Sequence, residues 1–125
     1  MSELRLFDSN ILVNYLRDDA EAVDYVESNL AHLSTSAIVE AELYAGVHDE
    51  EERRRIEVML SEFQVFPVTR PIAVLGGLFK RDYQPSHGTG LADALIAATA
   101  DVHAIRLVTL NVKHFPMLEN IIVPY

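Results

Sequence analysis

Three acidic residues in this chain of 125 stand where their neighbours are apolar or where the chain turns: Asp8, Glu42 and Asp93. Asp8 follows Leu4-Arg5-Leu6-Phe7, a strand-like alternation that puts Leu4, Leu6 and Asp8 on one face. Glu42 lies within Ser36-Ala37-Ile38-Val39-Glu40-Ala41-Glu42-Leu43-Tyr44-Ala45-Gly46. On a wheel with Ile38 at zero it falls at about 40°, inside an apolar arc centred near about 50°, while Glu40 at about 200° points to solvent. Asp93 opens Leu91-Ala92-Asp93-Ala94-Leu95-Ile96-Ala97-Ala98-Thr99-Ala100, a segment with no other charge. Each acid has a plainer explanation. Asp8 and Asp93 are well placed to cap helices and complement their dipoles, and Glu42 to pair with Arg5 or Arg17. Their joint placement says more, because a strand end, a helix stripe and a helix start each bring one carboxylate to the same cleft edge. Hard divalent ions such as Mg²⁺ and Mn²⁺ seek such oxygen ligands and fill their remaining positions with water.

The elements that must hold these groups alternate between strand and helix. A strand at Leu4–Asp8 leads into a helix capped by Asp8-Ser9-Asn10, and a second helix starts at Asp18 or Asp19 and ends near Asn29. Leu33-Ser34-Thr35 is a strand before a helix over 36–47, and Asp49 with Glu52 forms a capping box for a helix to about Glu62. A proline-marked strand at 65–68 is followed by a helix over 71–81, a loop over 84–90 and a long helix over 91–103. Strands at 106–110 and 121–123 complete the pattern. Such alternation predicts an α/β domain with a mostly parallel, roughly five-stranded sheet covered on both faces, a three-layer α/β/α arrangement. Open sheets of this kind place their clefts at the carboxyl ends of the strands, where Asp8 lies and where Asn111 comes directly after Thr109-Leu110.

Composition narrows the class. At 14.0 kDa, with 50% apolar and 23% charged residues, residues 1–125 make one globular domain. No apolar run suits a membrane span, and Met-Ser-Glu-Leu-Arg is no secretory leader, so the expected compartment is the cytoplasm. The chain has no cysteine, which excludes disulfides, thiolate metal sites and cysteine nucleophiles. The net charge of −9 is concentrated in residues 1–62, with 15 acidic and 5 basic side chains, whereas 63–125 hold 4 and 5. A protein so acidic binds polyanions poorly unless a local device such as a bound cation helps. Arg53-Arg54-Arg55 reads as a solvated helix face through Glu50–Arg54 and Glu51–Arg55 pairs, leaving Lys80, Arg81, Lys113 and His114 as better candidates for contact with a phosphate group. A phosphoacceptor receiver domain needs an aspartate at the end of the middle strand, where this chain has Phe66-Pro67-Val68-Thr69.

With these segments in view, the sequence resembles the PIN-domain family of small metal-dependent ribonucleases, and among them the VapC-type toxins of toxin–antitoxin pairs. The likeness rests on Asp8-Ser9-Asn10-Ile11-Leu12, on the segments around Glu42 and Asp93 quoted above, and on Leu107-Val108-Thr109-Leu110-Asn111-Val112-Lys113-His114-Phe115, in the family's order over nearly the whole chain. It implies metal ligation by Asp8, Glu42 and Asp93 with Mg²⁺, or Mn²⁺ in its place, hydrolysis of RNA phosphodiesters, a homodimer, and a cognate antitoxin. Many relatives carry a further aspartate two residues after the threonine or just before the phenylalanine. Here those places hold Asn111, a fourth candidate catalytic residue, and His114. The alternative is a catalytically silent PIN-like module that binds protein or RNA.

Overall fold

The computed structural model describes residues 3–125; Met1 and Ser2 lie outside it, and the reading of the N-terminus falls partly on them. Its order is β1 (Arg5–Phe7), α1 (Ser9–Leu16), α2 (Ala20–Glu27), β2 (Leu33–Ser36), α3 (Ala37–Ala45), α4 (Glu50–Leu60), β3 (Gln64–Phe66), α5 (Arg70–His87), α6 (Leu91–His103) and β4 (Arg106–Val108). The strands form one parallel sheet in the order β3-β2-β1-β4, with Leu6 beside Ser34 on one side and Leu107 on the other. Successive residues of a strand face opposite sides, so the complete burial of Leu6 and Phe7, and of all four residues of β2, means that helices cover both faces. This is the three-layer arrangement expected. No helix among the described residues is long and apolar enough to cross a membrane.

The sheet has four strands, and the fifth expected segment contributes a single bridge. Ile122 gives its N–H to Leu107 and accepts from Thr109 N–H, at 2.8 and 3.1 Å. Asn120 before it has φ 58° and Pro124 follows, so the chain turns in and out of register around one residue. At the other edge β3 stops at Phe66 because Pro67 lacks the N–H to continue pairing.

Around the central strand the core is aromatic and aliphatic. Phe7 meets the edge of Phe63 at 5.7 Å and tilts against Tyr25 at 5.9 Å, while Leu12, Val39, Ile96, Leu107 and Phe115 are buried in the same cluster. Asp19 caps α2 and Asp49 caps α4, as their positions in the sequence suggest. In α4 the ion pairs differ from those expected: Arg53 bridges Glu57 at 3.3 Å, and Arg55 reaches across to the carbonyl of Leu16 at 2.6 Å.

The expected break between 81 and 84 is absent, since α5 runs unbroken to His87 with Pro85 inside it. Pro85 sits in the last turn, where one lost N–H bond matters least, and Tyr83 meets Phe79 and His87 one turn to each side. Gly88, at φ 69°, then ends the helix with its N–H on the Gln84 carbonyl. The two glycines of α5 have different roles. A Cβ on Gly76 would lie 2.6 Å from Leu95 Cδ2 and 3.2 Å from Leu95 Cα, whereas one on Gly77 would meet nothing within 4 Å. Gly76→Ala is therefore expected to destabilise the protein by about 1–3 kcal/mol through overpacking of α5 on α6. Gly77→Ala should gain up to about 1 kcal/mol in helix propensity. Urea unfolding of both variants measures the contrast, and equal shifts would show that α5 does not press on α6 at Gly76.

Candidate active site

Asp8 follows β1 directly, and the extended φ and ψ that carry the strand out of the sheet also suit an N-cap. Its Oδ1 accepts the Ser9 N–H at 2.8 Å, so the capping explanation holds. The same side chain is only 4% exposed, and its second oxygen faces the end of β4. There Thr109, fully buried, donates its hydroxyl to Asp8 Oδ2 at 2.8 Å. The Thr109 oxygen in turn accepts from Asn10 Nδ2 at 3.2 Å and from the Asn111 N–H at 3.0 Å. One hydroxyl thus ties the ends of two neighbouring strands and the start of α1 to a single carboxylate. Thr109 was quoted in the sequence motif without a role; its place one residue past a strand, flush with Asp8, is the signal that could have found it.

Burial pushes the Asp8 carboxyl up from its ordinary 3.8, with the negative charge of Asp93 adding to the rise. The bonds from Thr109 and Ser9 and the nearby His114 act in the opposite sense. Glu42 is also raised above 4.5, first because its carboxylate end is partly shielded from water and then through the charges of Asp8 and Asp93, while the Ser9 hydroxyl lowers it. The three acids from a strand end, α3 and α6 therefore lie within electrostatic reach of one another.

One expectation about α3 is corrected. Val39 and Leu43 are its buried residues, and Glu42 lies exposed on the flank of that stripe rather than in its middle. Ala41 and Ala45, which drew the apolar arc toward Glu42, are themselves exposed. A methyl group withdraws so little surface from water that the two larger side chains set the helix's rotation. None of the ion pairs among the described residues includes Glu42, so neither Arg5 nor Arg17 neutralises it. Arg5 instead bonds Asn29, whereas Arg17 lines the same groove as Glu42, with Val13, Leu43, Val47 and Arg55.

Asp93, in the first turn of α6, has Oδ2 3.0 Å from His114 Nδ1. His114 ends a short turn at Val112–His114 that also carries Lys113, and its Nδ1 lies 2.8 Å from the Asn111 amide. Of the basic candidates, Lys113 and His114 thus share the turn beside the site. Lys80 and Arg81 lie along α5, the latter already paired with Asp82 at 2.8 Å.

As they stand, no three His, Asp or Glu side chains among the described residues close around a metal ion. The donor set nevertheless suits a hard divalent cation. The charge of Asp93 raises the proton affinity of both Asp8 and Glu42, and a cation between the carboxylates relieves that repulsion.

A pH dependence follows. Because Asp8 and Glu42 hold protons more tightly folded than unfolded, folding takes up protons above their ordinary 3.8 and 4.5, and these two groups reduce stability as pH rises through their folded values. In EDTA, the difference in Tm between Asp8→Asn and the wild type should therefore grow from pH 4.5 to pH 7.5 in favour of the variant. A difference that shrinks over this range would contradict the raised Asp8.

This parallel sheet with acids gathered at its carboxyl edge has the architecture of a PIN domain, and the PIN-domain family model matches residues 5–116, so the chain belongs to that family. Among curated proteins it is 42% identical over 123 residues to ribonuclease VapC10 of Mycobacterium tuberculosis, covering 96% of this chain and 92% of the relative. It is 40% identical over 126 residues to ribonuclease VapC19 of the same species, covering 98% and 100%. Among solved structures, a toxin–antitoxin complex from Klebsiella pneumoniae contains a chain that superposes with a TM-score of 0.80 at 28% identity, covering 97% of this chain and 98% of that one.

Proposed function

We propose that this chain is a divalent-metal-dependent endoribonuclease, the toxin of a toxin–antitoxin pair, acting on RNA in the cytoplasm with Asp8, Glu42 and Asp93 as its metal-binding acids. The observation that supports the reading is that Thr109, Asn111 and His114 link Asp8 at the end of β1 to Asp93 at the start of α6, with Glu42 within reach of both charges. The names of the two mycobacterial relatives support the activity, and the Klebsiella complex supports an antitoxin partner.

When bound, Mg²⁺ or Mn²⁺ supplies a polarised water and charge neutralisation for a phosphodiester. The protein's own groups do the rest. Thr109 and the Ser9 N–H fix both oxygens of Asp8, so its orientation is set before substrate arrives. Asp93 shares the metal-holding role from the start of α6. Glu42, raised and partly accessible, is the acid placed to accept a proton from attacking water as well as to hold metal. Asn111, together with Ser9 and Asn10, offers neutral hydrogen-bonding groups at the rim, where further negative charge would repel RNA.

The antitoxin of this reading lays a basic segment in the groove between α1, α3 and α4, where Val13, Leu16, Leu43 and Val47 give an apolar floor beside Glu42. A homodimer belongs to the same reading, and it would cover exposed apolar side chains of α5 such as Val74 and Leu78. The decisive experiment incubates the purified chain with a mixed RNA substrate, with Mg²⁺ and with EDTA, and maps the ends produced. Cleavage only with the cation, leaving 5′-phosphates, supports the proposal. RNA bound but uncut under all conditions would favour the silent module instead.

A further inference from the structure

We infer that His114 is a metal ligand, forming with Asp93 and the carboxamide of Asn111 a mixed nitrogen and oxygen seat that makes this site favour Mn²⁺, Co²⁺ or Zn²⁺ over Mg²⁺. The inference rests on the proposed metal dependence and goes beyond it in naming a ligand other than the three acids and the selectivity that this ligand confers.

The imidazole Nδ1 faces two groups at once, Asp93 Oδ2 at 3.0 Å and the Asn111 amide at 2.8 Å. A single ring nitrogen cannot both donate to a carboxylate and accept from an NH₂. With a proton on Nδ1, a half-turn of the Asn111 amide brings its oxygen toward the ring, and one proton then sits among a nitrogen and two oxygens. Those separations match a different occupant equally well. Neighbouring ligands of a six-coordinate ion with bonds of about 2.1 Å lie about 3 Å apart. Replacing the proton by a divalent ion therefore keeps both separations from Nδ1 at the spacing of neighbouring ligands.

The backbone already fixes that arrangement. The Asn111 N–H bonds Thr109 Oγ1 at 3.0 Å, and Thr89, wholly buried in front of α6, donates its hydroxyl to the His114 carbonyl at 3.0 Å. The turn that presents Asn111 and His114 is thus tied both to the strand end holding Asp8 and to the loop preceding Asp93. The charge of His114 also lowers the proton affinity of Asp8, the smallest of the effects on that carboxyl, so the imidazole lies within electrostatic reach of it.

The consequence lies in ligand chemistry. Mg²⁺ is served by oxygen and water and gains little from imidazole, whereas first-row transition ions bind it well. An aspartate at position 114 would leave an all-oxygen site with a smaller difference between these ions, and histidine enlarges the preference.

The test reads binding rather than cleavage. Pulsed electron paramagnetic resonance of the Mn²⁺-loaded protein should show coupling to a directly bonded imidazole nitrogen in the wild type and none in His114→Gln, which keeps the other four histidines. Calorimetric titration should show Co²⁺ affinity falling by at least about 10-fold in His114→Gln while Mg²⁺ affinity changes by less than about 3-fold. Mn²⁺ bound without nitrogen coupling in the wild type, or coupling that persists in His114→Gln, would overturn the assignment of His114 and leave the acid site standing. Failure of the wild type to bind Mn²⁺, or binding unaffected by Asp93→Asn, would overturn the metal site itself.

Discussion

Asp8→Asn should lower Mg²⁺-dependent RNA cleavage by at least about 100-fold in a protein that remains folded. Asparagine keeps the volume of the side chain and still caps α1, its one oxygen accepting the Ser9 N–H while its NH₂ turns toward the Thr109 oxygen. What it removes is one of three negative charges, and with it the attraction that holds a divalent cation against its hydration shell. Glu42→Gln and Asp93→Asn should fail similarly, the first having no helix to cap and the second lying in a first turn where asparagine is tolerated. Initial rates on a labelled RNA, with circular dichroism to verify folding, give the measurement. Wild-type rates in Asp8→Asn, or in EDTA, would remove the basis of the proposed mechanism.

Thr109→Val should cost about 1–3 kcal/mol in stability and reduce cleavage by about 10-fold, although Thr109 touches neither water nor substrate. Valine has nearly the same shape, so the loss is chemical. Asp8 Oδ2, the Asn10 amide and the Asn111 N–H all lose their shared partner in a place that solvent does not reach freely. Asp8 would then turn among several orientations, and the rate falls because the carboxylate is no longer held for its task. Thr109→Ser, which restores the hydroxyl, should recover most of both effects. A valine variant that is destabilised but cleaves normally would show that the hydroxyl serves only the fold.

Much of this was legible in the sequence for a physical reason: strand ends in a parallel sheet lie along one edge, so acids that follow strands or begin helices converge once the strand order is right. Asp8 and Asp93 are of that kind. The wheel brings Glu42 toward the other two acids but misplaces it within the apolar stripe, because it weights Ala41 and Ala45 equally with Val39 and Leu43, though burial of a methyl stabilises far less than burial of an isobutyl group. Pro85 marks a break in the sequence, but it falls in the last turn of α5, where the contacts of Tyr83 with Phe79 and His87 continue the helix past it. The hydrogen bonds of Thr109 and His114 to the acids are the least visible in the sequence. Their importance arises from partners 101 and 21 residues away, and no local pattern encodes such a contact.

The bond from Thr109 to Asp8 has a consequence for the moment at which this protein becomes active. β1 leaves the ribosome first, yet it lies inside the sheet between β2 and β4, and the clamp on its terminal carboxylate comes from a residue 101 positions later. A nascent chain that already displays Asp8 and Glu42 has neither the hydroxyl that orients one nor the turn that faces Asp93. Synthesis interrupted before Thr109 therefore yields a fragment in which Asp8 is left unclamped, and the acid-bearing edge of the sheet is completed only when its last strand has been made.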